Sequence, residues 1–242
     1  MPATPLPTPE SPLASARQLL VVIADDWQST SATLQRWARP ALDAPWVAVG
    51  PGMPVSLGRH GLAWGLGLHP ADEFAGPLGS QPAAPFKREG DGRAPAGIFA
   101  LPALFGVAPA DSDEARALRL PYQPAHAALK CVDDPTSRHY DHIVDQTTTA
   151  IDWQSAEDML RGDARYTIGA VIAHNPDHVA GAGSCIFLHV WQAPGVPTAG
   201  CTAGERADIE TVCAWLDGDA RPLLVQLPAA EYARRRTAWQ LP

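Results

Sequence analysis

Two residues with the chemistry of nucleophilic catalysis stand twelve positions apart near the end of the chain. Within GAGSCIFLHVWQAPGVPTAGCTAG (181–204), His189 closes an apolar run, and Cys201 follows a loop holding two prolines and two glycines. A thiol with an imidazole in reach is an acyl-transfer arrangement, the imidazole acting as base. If 184–191 is a strand, Cys185, Phe187 and His189 share one face, and Ile186, Leu188 and Val190 share the other. Downstream, Ile209, Val212, Cys213 and Leu216 fall at i, i+3, i+4 and i+7, one apolar helix face. Thr202-Ala-Gly-Glu205 fits a capping box for that helix, with Gly204 as the competing cap. Either start sets Cys201 just outside a helix N-terminus, whose positive dipole end favours a thiolate. The amides of the Gly200–Ala203 turn, Gly200 and Thr202 included, are then placed to face a developing oxyanion.

Other chemically suggestive residues carry plainer readings. Cys131 with His139 and His142 has zinc-ligand types but no evident fourth ligand, so no metal is expected. Cys131, Cys185 and Cys213 are expected as packing residues, and one disulfide stays open if the compartment is oxidising. His174 follows an apolar run, as a structural histidine or a pocket-lining group. Gly90-Asp-Gly-Arg-Ala-Pro-Ala-Gly97 superficially resembles a phosphate loop. It lacks the Gly-Lys-Ser/Thr ending and the following helix, and is read as architectural, with Asp91 as a turn residue. Trp64, Trp153 and Trp191 are read as core packing or groove lining, and Arg234-Arg-Arg236 as a solvated tail cluster.

The elements that must position Cys201 and His189 are short. Gln18–Ala24 reads as a buried strand. Trp46–Val49, Pro54–Gly58, Leu62–Gly65, Gly97–Leu101, Tyr166–His174, Ser184–Trp191 and Leu223–Leu227 read as further strands between Gly/Pro turns. Ala71–Pro85 reads as a loop, and 111–120 as a short helix or loop. Many short strands with one or two helices predict a mainly β, sandwich- or barrel-like domain over 17–228. A flexible Pro-rich tail over 1–16 and a C-terminal tail over 229–242 would flank it.

Composition narrows the function classes. The 242 residues are 46% hydrophobic and 18% charged, a globular balance, and 25 prolines with 20 glycines argue against a helical bundle. A net charge of −8 and a pI near 5.4 argue against nucleic-acid binding. No run of 18 apolar residues predicts a membrane span. The first 16 residues hold five prolines and no Lys or Arg, which is not the pattern of an export signal.

The His189 and Thr198-Ala-Gly-Cys201 window resembles the catalytic segment of the YkuD-type L,D-transpeptidases, whose signature is His, a short interval, then Ser/Thr-x-Gly-Cys. Lys87-Arg-Glu-Gly-Asp-Gly-Arg-Ala-Pro-Ala-Gly-Ile-Phe99 is similar to that family's Gly-Asp-x-x-Thr/Ser-Pro-x-Gly-x-Phe segment, with Ala94 at the Thr/Ser position. Tyr140-Asp-His-Ile-Val-Asp145, Tyr166-x-x-Gly169 and Leu57–Gly65 resemble further segments, so the likeness runs over about 18–227. Ala199, where many members have His, and Ala203, where many have Arg or Asn, mark a divergent branch. The resemblance implies L,D-transpeptidation of peptidoglycan stem peptides through a Cys201 thioester, with His189 as base and no cofactor. It further implies a pocket drawn from Thr198, Tyr140, His142, Trp191 and His174, and a cell-envelope or periplasmic setting. The alternatives are an L,D-carboxypeptidase or other thiol hydrolase of the same fold, or a wall-binding module whose cysteine is inert.

Overall fold

The computed structural model describes residues 11–69 and 85–242; most of the expected 71–85 loop lies outside them. In chain order the strands are β1 Gln18–Ala24, β2 Ser31–Ala38, β3 Val47–Ser56, β4 Leu62–Trp64, β5 Ala94–Ala100, β6 Leu104–Gly106, β7 Tyr122–Pro124, β8 Leu129–Val132, β9 Ile143–Asp145, β10 Ala156–Asp158, β11 Ile168–Val171, β12 Phe187–Val190, β13 Thr202–Gly204 and β14 Leu223–Pro228. The helices are α1 Asp113–Arg116, α2 Arg206–Trp215 and α3 Ala229–Arg235. The protein is mainly β. An 11-stranded mixed sheet runs β4-β5-β14-β1-β2-β3-β13-β12-β11-β6-β7, and a 3-stranded sheet runs β10-β8-β9.

The middle of the large sheet follows from unbroken apolar runs. β1 (QLLVVIA) pairs parallel with β14 and antiparallel with β2, and β14 (LLVQLP) is buried at every position. Strands covered on both faces lose the polar alternation of a half-exposed strand. The helix anticipated from the apolar stripe is α2, with Ile209, Val212 and Cys213 buried against β11 and β12. No helix among the described residues is long and apolar enough to cross a membrane.

Both tail boundaries are corrected. Residues 1–10 lie outside the described residues, but Leu13 and Ala16 are buried. Arg39 donates to their carbonyls, from Nη2 at 2.7 Å and from Nε at 2.8 Å. At the other end α3 packs on β14 and Trp239 is 1% exposed. Arg235 is not solvated: it is buried, pairs with Glu231 and lies over the Trp64 ring at 4.6 Å. In both segments apolar side chains and satisfied carbonyls outweigh the loop-like composition.

Cys131 and Cys185 are joined by a disulfide, leaving Cys201 and Cys213 free. The disulfide left open in the sequence is thus between Cys131 and Cys185, and Cys213 is a buried core residue. The bond ties β8 of the small sheet to the segment entering β12. Its partners are 54 residues apart, and closing a loop of that length removes unfolded-state entropy worth about 4 kcal/mol. Unfolded but unreduced protein is therefore expected to titrate two thiols and reduced protein four, with reduction lowering the melting temperature. Four thiols without reductant would contradict the pairing.

Two buried histidines clamp the chain between β4 and residue 69. His69 accepts from the Ile98 N–H at Nδ1 and donates from Nε2 to the Gly65 carbonyl. His174 accepts from the Leu66 N–H at Nδ1 and donates from Nε2 to the Ala182 carbonyl. Each ring must be neutral, because protonation destroys the accepted bond. Burial lowers both, and His189 as well, from 6.5 to about 4. The unfolded chain takes up these protons first. Their contribution is thus complete above about pH 6.5 and is lost toward pH 4, by up to about 1.4 kcal/mol per pH unit for each ring. Asp141, raised to about 7 by burial, and Glu157, also raised by burial, work in the opposite direction, against the three rings and His178, which burial lowers too. The melting temperature is expected to fall from pH 6.5 to pH 4; a flat profile in scanning calorimetry would refute the account.

Candidate functional site

Strands β12 and β13 lie side by side in parallel, with Leu188 opposite Thr202, His189 opposite Ala203 and Val190 opposite Gly204. One step earlier, Cys201 comes level with Phe187, whose N–H points at Sγ (3.3 Å). Alternation then puts Phe187, His189, Cys201 and Ala203 on one face, with His189 and Cys201 as diagonal neighbours within side-chain reach. The face assignment agrees with the core. Ile186, Leu188 and Val190 enter the main cluster, whereas Cys185, Phe187 and Cys201 join a second cluster with Phe105 and Tyr166. His189 and Cys201 line one cleft of about 320 Å³.

The loop before Cys201 is held by its own hydroxyl and by a neighbouring turn. Thr198 Oγ1 donates to the Cys201 carbonyl at 2.6 Å and accepts from the Gly200 N–H at 3.1 Å. The Thr198 N–H donates to the Leu57 carbonyl, and its carbonyl accepts from the Arg59 N–H. A side chain at Gly200 would meet the Arg93 carbonyl, with its Cβ 3.1 Å away. The Gly90–Gly97 segment therefore lies against this loop, as an architectural element should. Asp91 is a turn residue that accepts from the Arg88 and Arg93 N–H groups and pairs with buried Lys87 at 2.7 Å.

Several expectations are corrected by these positions. Cys201 does not abut a helix N-terminus, because β13 intervenes and Glu205 caps α2 without a side-chain bond. Thr202 is a strand residue with its hydroxyl on the far face, donating to Gln226 Oε1 at 2.7 Å, so it belongs to the core and not to a turn. The Gly200 N–H is already taken by Thr198. Of the expected pocket residues, Thr198 and Trp191 line the cleft and Tyr140, His142 and His174 do not. Tyr140 Oη donates to Glu89 Oε2 at 2.6 Å and accepts from the Gly183 N–H. His142 stacks on His178, with ring centroids 3.9 Å apart. His174 clamps the Leu66 and Ala182 backbone and lines a second cleft, not this one. The zinc reading of Cys131 with His139 and His142 is removed by the disulfide, and no cluster of metal-ligating side chains occurs among the described residues.

The cleft also holds Tyr166, noted in the sequence only as part of the Tyr166-x-x-Gly169 resemblance, and three residues that sequence reasoning missed, Glu157, Arg161 and Arg165. Glu157 sits on β10, in a three-residue strand too short to register as a period, and the two arginines lie on the link to β11. The Tyr166 ring stands edge-on to His189, centroids 5.1 Å apart, and its hydroxyl donates to Glu157 Oε2 at 2.6 Å.

Electrostatically the pair is neutral. Burial pushes the Cys201 thiol up to about 12, helped by Glu157 and opposed by the Phe187 N–H, Lys87 and Arg161. Burial likewise holds His189 near 4. The His189 Nδ1–H donates to the Val190 carbonyl at 2.8 Å, which leaves the Nε2 lone pair as the basic site. A preformed thiolate–imidazolium pair is thus disfavoured in the free protein.

A second cleft of about 260 Å³ lies behind the 185–187 segment, lined by the disulfide, Asp141, His174 and His178 among apolar side chains. Asp141, Asn175, His178 and Cys185 all have φ between 52° and 62°. Asp141 Oδ1 accepts from the Cys185 N–H at 2.9 Å, and the Cys185 carbonyl faces Cys201 Sγ at 3.5 Å.

Comparison with known proteins found no matching family model, no matching curated protein and no matching solved structure.

Cys213 is 0% exposed inside the core, whereas Cys201 is 8% exposed on the cleft. Mild alkylation of the oxidised protein with peptide mapping is therefore expected to modify Cys201 first. Equal modification of both, or none before unfolding, would remove Cys201 as a nucleophile.

Proposed function

We propose that the chain is a cysteine acyltransferase with L,D-transpeptidase activity on peptidoglycan stem peptides, in a YkuD-type fold. The observation that carries this reading is the register of β12 and β13, which brings His189 and Cys201 to one face of one cleft. It adds to the resemblance of the surrounding motifs.

In this mechanism the entering peptide displaces water from the cleft. Cys201 Sγ attacks the carbonyl between the diamino acid and the terminal D-alanine as His189 Nε2 takes the thiol proton. The S–C bond forms, the oxyanion is held by the Cys201 amide, and the C–N bond breaks as His189 returns the proton to the departing amine. An amine of a second stem peptide then attacks the thioester and releases the thiol. Water in that role would make the enzyme a carboxypeptidase. Proton transfer belongs with the chemical step, because neither group is charged beforehand. No cofactor is required.

The burial of the thiol favours one competing reading, a wall-binding module with an inert cysteine. Product mass spectrometry after incubation with a tetrapeptide muropeptide, with and without an acceptor amine, separates the two. Loss of D-alanine with a new amide is expected. His189→Ala should lower acylation about 10²–10⁴-fold in a folded protein, and Cys201→Ala should abolish it. Unchanged acylation in His189→Ala would make the imidazole structural.

A further inference from the structure

The cleft beside Cys201 contains two guanidinium groups with very different commitments. Arg165 is spent: Nε and Nη2 grip both carboxylate oxygens of Asp163, at 2.5–3.1 Å. Arg161 is not. Among the described residues its one ion-pair contact is Asp163 Oδ1, 3.7 Å from Nε and beyond hydrogen-bonding distance, while Glu157 shares the cleft and feels its charge without an ion-pair contact. That Nε is buried and makes no hydrogen bond among the described residues. A buried guanidinium N–H without an acceptor is costly and is normally satisfied. The acid nearest in the cleft, Glu157, already accepts from Tyr166.

Arg161 is also fixed relative to the reacting pair. Its guanidinium lies over the Tyr166 ring, 5.0 Å from the centroid, and that ring abuts His189 at 5.1 Å. Extended peptide advances about 3.3–3.6 Å per residue. A guanidinium two ring contacts from the base thus meets groups within about three residues of the scissile carbonyl. Ala203, opposite His189, lines the same cleft with only a methyl side chain.

We propose that Arg161 is a specificity-determining anchor that binds a carboxylate of the acyl donor close to the scissile bond, with Tyr166 holding the guanidinium in place. The fork of an arginine matches a carboxylate in a bidentate pair, and the Nε–H is one of the two donors such a pair uses. The carboxylate belongs either to the departing terminal amino acid or to the side chain of the diamino acid. The place of this anchor in a reaction rests on the acyl-transfer reading above; the anion site itself does not.

The test compares iodoacetate, which carries a carboxylate, with neutral iodoacetamide at Cys201 in the intact oxidised protein, followed by peptide mapping. Arg161→Gln should lower the iodoacetate-to-iodoacetamide rate ratio about tenfold or more, the size expected for a charged hydrogen bond. Arg165→Gln should change it far less, and Arg161→Lys should retain part of it through charge alone. A ratio unmoved by Arg161→Gln overturns the anchor.

A second arm uses tetrapeptide donors with the terminal carboxylate, or the diamino acid's side-chain carboxylate, converted to an amide. Wild-type protein should disfavour one of these two amides, which identifies the carboxylate bound. Arg161→Gln should erase that preference through KM. Turnover with no preference among the three donors overturns the anchor and leaves the acyl-transfer reading standing. No turnover of any donor, with the alkylation ratio still governed by Arg161, keeps the anion site and overturns the proposed reaction.

Discussion

Everything at the site depends on the parallel register of β12 against β13. Side chains alternate with period two, so a slip of one residue would send Cys201 into the main core and bring Thr202 to the cleft. A buried polar chain fixes the alignment. Thr202 Oγ1 donates to Gln226 Oε1 at 2.7 Å, and Gln226 Nε2 donates to the Pro95 carbonyl at 2.8 Å. Thr202 and Gln226 are both 0% exposed. In any other register these groups would be buried without partners, which costs about 1–3 kcal/mol for each. One hydrogen-bonded pair thus couples β13 to β14 and β5, the strand that carries Pro95 out of the architectural glycine segment.

The same burial that fixes the geometry sets the chemistry. Cys201 and His189 both lie under apolar cover, and each is pushed toward its neutral form. A neutral thiol reacts more slowly than a thiolate with oxidants and alkylating agents, so exposure on the cleft sets which free thiol is modified first and burial sets how slowly. Reactivity must then arise when a carbonyl arrives, as charge moves from sulfur to the oxyanion and the imidazole accepts a proton in one event. Glu157 works against the thiolate, but its hydrogen bond to Tyr166 orients the ring that braces His189. A carboxylate that is electrostatically unhelpful is structurally useful through the tyrosine it holds.

The mainly β class, the helix at 206–215 and the split of the β12 face were legible because each rests on periodicity. So was the architectural character of Gly90–Gly97: at Gly97, φ is +145° and an added Cβ would fall 2.0 Å from the His69 ring. Strand ends were read too long. Tyr166–His174 shortens to Ile168–Val171, because His174 leaves the sheet to clamp Leu66 and Ala182. The capping box at Thr202 failed because tertiary burial of its hydroxyl outcompeted a local cap. Arg161, Arg165 and Glu157 were illegible for a different reason. Isolated charged residues in a turn-rich stretch look like solvated loop, and only the pairing of β10 with β8 and of β11 with β12 brings them to the cleft.

The wall between the two clefts shows how backbone constraint and site geometry are joined. Cys185 sits at φ +55°, a region a residue with a Cβ seldom adopts, at a cost of order 1–3 kcal/mol. Three attachments over-determine it: the disulfide to Cys131, the bond from its N–H to Asp141 Oδ1, and the continuation into β12. Its carbonyl and the Phe187 N–H are the two backbone groups facing Cys201 Sγ. Both groups belong to one three-residue stretch that opens with this left-handed residue. The disulfide and Asp141, though outside the cleft, thereby anchor the residue whose carbonyl the Cys201 thiol meets.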